Sequence, residues 1–137
     1  MPMARRDPKM GYYFSKTLPV GFDEAVRRAT EALKQGGFGI ITEIDVTRTF
    51  KEKLDVDFRN YRILGACNPR LAYEALQLED KVGTMLPCNV VVQEIAQNRT
   101  EIAAIDPVAS MQAIENPGLK ASAQRVQTLL RSVIDGL

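Results

Sequence analysis

The chain has 137 residues, 45% of them apolar and 26% charged, the proportions of an ordinary globular protein. Its 18 basic and 17 acidic side chains leave a net charge of +1, so no basic field exists to draw in nucleic acid or an anionic membrane surface. Histidine is absent, which removes the usual neutral-pH general base together with Ser-His-Asp, Cys-His and Cys/His zinc arrangements within one chain.

Residues 1–10 are polar and locally basic and read as a solvated tail ahead of one domain, 11–137. "GYYFSKTL" is the first strand, rich in aromatics suited to a pleated surface, and "PVG" breaks it. Apolar residues at Phe22, Val26, Ala29 and Leu33 then fall at helical spacing, and "QGG" at 35–37 stops that helix. "FGIITEIDV" is a second strand with Ile40, Thr42, Ile44 and Val46 on one face and Ile41, Glu43 and Asp45 on the other. "GGFG" within this turn lacks the spacing and lysine of a phosphate loop. A short amphipathic helix follows over "TRTFKEKLDV", where Thr49 and Glu52 match a capping box.

"FRNYRILGAC" is the third strand. "NPRLAYEALQLED" is a helix capped by Asn68, with Pro69 at a first position where its missing N–H is harmless. Two strands joined around "QNR" occupy "VGTMLPCNVVVQEIAQNRTEIAAIDP", and "VASMQAI" is a short helical piece. The last helix carries Leu119, Ala123, Val126, Leu130 and Val133 in a near-heptad stripe ending at Leu137. That stripe suits packing on the sheet, or sharing with a second copy in a homodimer. The expected fold is α+β, a single domain ordered β-α-β-(α)-β-α-β-β-α, with a largely antiparallel sheet and helices on one face. A domain of this size buries roughly two-thirds of its unfolded surface, enough for a core without disulfides.

No apolar run reaches a membrane span, and the N-terminus lacks a secretory pattern, so the expected location is cytoplasmic, with reduced thiols. The two cysteines, Cys67 and Cys88, are each followed by asparagine, Asn68 and Asn89. Cys67 lies just before a helix N-terminus, whose field favours a thiolate. If the third and fourth strands pair antiparallel, the end of one meets the start of the other and the thiols come within reach. Asp45 and Asp106 also close apolar strands, and either line that sheet end or cap the helices that follow. Free cysteine also packs as a small hydrophobe, so a purely structural reading stands beside the functional one.

"GFGIITEIDV", "RNYRILGACNPRLAYEAL", "LPCNVVV" and "IAAIDP" together resemble the bacterial and archaeal domain of unknown function DUF302, over roughly residues 11–137. The resemblance implies a small α+β domain, often homodimeric, with no established reaction. The family's "GACNP" and "LPCNV" fall here on Gly65 through Pro69 and Leu86 through Val90.

Three functions compete on this sequence. The first is a binding module whose sheet-end pocket, lined by Cys67, Asn68, Cys88, Asn89 and Asp45 or Asp106, holds a small ligand or soft metal. Two thiolates fall short of the four ligands of structural zinc, so zinc would need a dimer, whereas Cu(I) would accept two, with Met85 or Met111 as added thioethers. The second is a non-catalytic homodimeric interaction protein with packed thiols. The third is a thiol redox protein in which Cys67 attacks and Cys88 resolves, which requires Cα atoms about 5.5 Å apart.

Overall fold

The computed structural model describes residues 11–137, and the expected tail over 1–10 lies outside the described residues. The elements follow the expected order: β1 (Tyr13–Leu18), α1 (Phe22–Gln35), β2 (Gly39–Asp45), α2 (Val46–Leu54), β3 (Tyr61–Cys67), α3 (Pro69–Leu78), β4 (Cys88–Ala96), β5 (Arg99–Ile105), α4 (Pro107–Ser110) and α5 (Pro117–Asp135). A short 3-10 helix, Asp80–Met85, lies between α3 and β4. The strands form one sheet in the order β1-β5-β4-β3-β2, with every neighbouring pair antiparallel. β4 and β5 form a hairpin closed at Gln97 and Asn98, where Asn98 takes the left-handed φ of 55° that such tight turns need.

One face of the sheet carries the core. Leu64 and Ala66 of β3, Val90 and Val92 of β4, and Ile102 and Ala104 of β5 alternate inward and are fully buried. Against them lie Phe22, Ala25, Ala29 and Leu33 of α1 and Leu130, Val133 and Ile134 of α5. Leu119, Ala123, Leu130 and Val133 of the C-terminal stripe are thus buried within the chain, with Val126 and Leu137 partly so. A second, smaller cluster gathers Ala75 of α3, Val82, Met111, and Leu119 and Ala123 of α5.

Helix α1 stops as its glycines require. The Phe38 N–H donates to Leu33 O at 2.8 Å and the Gly37 N–H to Lys34 O at 3.1 Å, with Gly37 at φ 92°, a conformation that favours glycine. That closure turns Phe38 into the core.

The second strand departs from simple alternation. Its register with β3 shifts between Ile40 and Thr42, which makes Ile41 an extra residue in the ladder. β2 is also an edge strand, so Ile41 and Ile44 keep 61% and 50% of their surface exposed. The Thr49–Glu52 box is not used either. Asp45 caps α2 by accepting from the Arg48 N–H at 2.9 Å, and the Thr49 hydroxyl donates to Asp45 O from inside the helix. Among the described residues no helix is long and apolar enough to cross a membrane.

Candidate functional site: an apolar pocket between two core clusters

The strand-to-helix junction at the end of β3 builds the site. Asn68 leaves the strand with extended backbone and its side chain accepts from the Leu71 N–H at 3.2 Å, so α3 starts at Pro69. At the far end of α3 the Asn116 amide donates to Leu78 O at 2.8 Å, which ties α3 to the start of α5. An exposed Arg125–Glu74 ion pair at 2.7 Å bridges the same two helices, and such a surface pair adds little to stability.

Between α3, α5 and the sheet end lies a pocket of about 350 Å³. Its floor is Phe38, Ala66 and Cys88, which belong to the main core. Its opposite wall is Ala75, Met111, Leu119 and Ala123, which belong to the smaller cluster. The pocket is thus the gap between the two cores. Small side chains on facing helices make it: Ala72 and Ala75 on α3, Ser122 and Ala123 on α5. Among the described residues no Lys, Arg, Asp or Glu lines it.

Both thiols border this pocket. Ala66 stands opposite Cys88 in the β3–β4 ladder, so Cys67 is one residue beyond that pair. Cys67 is half-buried and Cys88 buried, and both are free. Asn68 joins them in the lining, as does Met111. The remaining residues singled out in the sequence lie elsewhere. Asn89 is exposed and lines a second, smaller cavity of about 240 Å³ on the other side of Leu86 and Pro87, together with Met85. Strand alternation explains this, since neighbours within β4 point to opposite faces. Asp45 sits at the far end of the β2–β3 ladder, opposite Arg62, whereas Cys67 faces Gly39. Asp106 is at the thiol end of the sheet, but it caps α4 through the Val108 N–H and accepts from the Gln127 amide at 3.1 and 3.2 Å. Its neighbour Pro107 reaches the pocket. Ala72, Ala75 and Ser122 were not singled out by sequence, and Ala123 only as part of the α5 stripe; their signal was the facing runs of small residues in "RLAYEAL" and "KASAQ", whereas Phe38 had none beyond following the helix-stopping glycines.

Burial pushes the Cys88 thiol up from 9.0 to about 11, with the nearby Cys67 adding to the shift. The folded value lies above the unfolded one, so folding favours the neutral thiol. That stabilisation is complete below pH 9 and is lost as pH rises towards 11. The stability difference between wild type and Cys88→Ala should shrink by about 2 kcal/mol from pH 8 to pH 10.5. Urea unfolding at a series of pH values checks it; a pH-independent difference would mean that Cys88 is not held neutral by its surroundings.

A family profile described as a domain of unknown function, DUF302, matches residues 14–137. The chain belongs to the DUF302 family. Among solved structures, the DUF302 chain is similar to an uncharacterised conserved DUF302 protein from Bacillus stearothermophilus, seen in a crystal structure. The two share 31% identity with a TM-score of 0.82, over 90% of this chain and 96% of the other. No curated protein matches this DUF302 chain. The α+β architecture is therefore that of the family, and it arrives without an assigned reaction.

Proposed function

We propose that this DUF302 domain binds a small, largely apolar molecule in the pocket between α3, α5 and the end of the sheet. One observation carries the reading: the core is split into two clusters by a 350 Å³ gap walled almost wholly by hydrocarbon. Interiors are normally packed to crystal density, and an unfilled cleft forfeits contacts for the side chains that line it. The volume falls in the range of ordinary ligand pockets. The half-buried Cys67 and the Asn68 cap border it, and Cys88 stays a neutral thiol in its floor.

A soft metal suits this wall less well. Among the described residues no group of three or more Cys, Asp or Glu is gathered to hold a metal ion. Cu(I) between two thiolates bears a negative charge, which the described lining, without Lys or Arg, does not offset. Self-association is a second reading. It is favoured by the β2 edge and the α2 region, where Ile41, Ile44, Leu54 and Val56 are exposed.

The test is a fluorescence titration with N-phenylnaphthylamine, a neutral apolar dye. Wild type should bind it saturably at one site. Ala72→Leu extends a half-buried side chain into the gap. It should weaken the dye at least about tenfold while raising stability by roughly 0.5 kcal/mol, the usual sign of cavity filling. Equal binding by a stable Ala72→Leu variant would place the dye elsewhere and remove the reading.

A further inference from the structure

We propose that the pocket selects an electrically neutral ligand, an apolar body with one hydrogen-bonding head, and that the Ser122 hydroxyl on α5 is its anchor. The inference rests on the reading of this pocket as a ligand site and adds the chemical class of the ligand.

Ser122 is an anomaly in the wall. The residue is only 2% exposed and lines the pocket, yet its hydroxyl has no hydrogen bond among the described residues. Three other helical hydroxyls turn back onto the carbonyl four residues earlier: Thr30 to Val26 O at 2.8 Å, Thr49 to Asp45 O at 2.9 Å and Thr128 to Gln124 O at 3.1 Å. Among the described residues no fully enclosed side-chain polar atom lacks a partner, so the Ser122 oxygen must meet open space, and the space beside it is the pocket. A hydroxyl so deeply placed and left without a partner is unfavourable. A water held there needs two to four polar partners, and beside Ser122 the lining offers only Asn68, whose oxygen already caps α3, and the two thiols. A ligand whose head accepts from Ser122 while its body fills the gap satisfies both demands.

Neutrality follows from the rest of the lining. Among the described residues the lining holds no cation to receive a carboxylate or phosphate, and no anion to receive an ammonium group. The positive end of α3 at the rim is already occupied. Asn68 caps it through Leu71, and Pro69 contributes no N–H. The predicted class is thus alcohols, ketones, esters and similar uncharged molecules, rather than fatty acids.

Amide NMR titrations at pH 7 with octan-1-ol, octanoate and octylamine test this on wild type and Ser122→Ala. Alanine is the better helix former, so the variant should fold. Octan-1-ol should shift pocket resonances saturably, with octanoate and octylamine binding at least about tenfold more weakly. Ser122→Ala should weaken octan-1-ol about fivefold, the loss of one hydrogen bond. Octanoate or octylamine binding within twofold of the alcohol would overturn neutrality, and an unchanged affinity in Ser122→Ala would overturn the anchor. If the apolar dye still binds in either case, the pocket reading survives; if neither dye nor octan-1-ol binds, both fall.

Discussion

Replacing Phe38 with alanine is expected to destabilise the domain by about 3 to 5 kcal/mol, a large share of the whole stability of a small domain. Phe38 is 1% exposed and is among the largest fully buried side chains of the chain. Its ring is delivered by the closure of α1 on Gly36 and Gly37, and it belongs at once to the main core and to the pocket floor. Deleting the ring removes its transfer energy and opens a hole that joins the gap beneath α3. Little can collapse to fill it, because the backbone on one side is fixed by the helix stop and on the other by the β3–β4 ladder. Urea unfolding measures the loss. A cost under about 1 kcal/mol would mean that Phe38 is not packed as described.

Gly65→Val is expected to be nearly as damaging, by about 3 kcal/mol through overpacking. A Cβ at Gly65 would fall on the Thr42 hydroxyl and lie 2.8 Å from Pro87 Cγ. Thr42 is held there by the bulge of β2, and Pro87 by its place just before β4. Neither is the free end of a flexible side chain, so the clash must be relieved by moving β2 off the sheet edge. Amide exchange should then accelerate in Gly39–Asp45 before it does in β4 or β5. Unchanged protection in β2 would show that the contact gives way more easily than the geometry implies.

These two positions also show what a sequence conveys. The helix stop at Gly36–Gly37, the start at Asn68–Pro69 and the stripe on α5 were legible, because each rests on backbone rules that act within one or two turns. The exposed isoleucines of β2 were not. A bulge and an edge position depend on what pairs alongside, and an alternating pattern contains neither.

The two Cys-Asn pairs were legible as a coincidence of position but not of direction. Cys67 and Asn68 straddle a strand-to-helix break, so both reach the pocket. Cys88 and Asn89 are consecutive within β4, so one faces the core and the other faces away. The pocket itself was hidden for a different reason. It consists of volume that Ala72, Ala75, Ser122 and Ala123 leave unfilled, and only the packing of α3 against α5 reveals whether small residues bring helices close or leave a gap.

The central claim is that this gap is a binding site for apolar molecules, and the most direct test is a crystal soaked in bromobenzene and measured at the bromine edge. One strong anomalous peak is expected between Phe38 and Ala123, and it should vanish in Ala72→Leu. An empty pocket beside peaks confined to the molecular surface would contradict the claim.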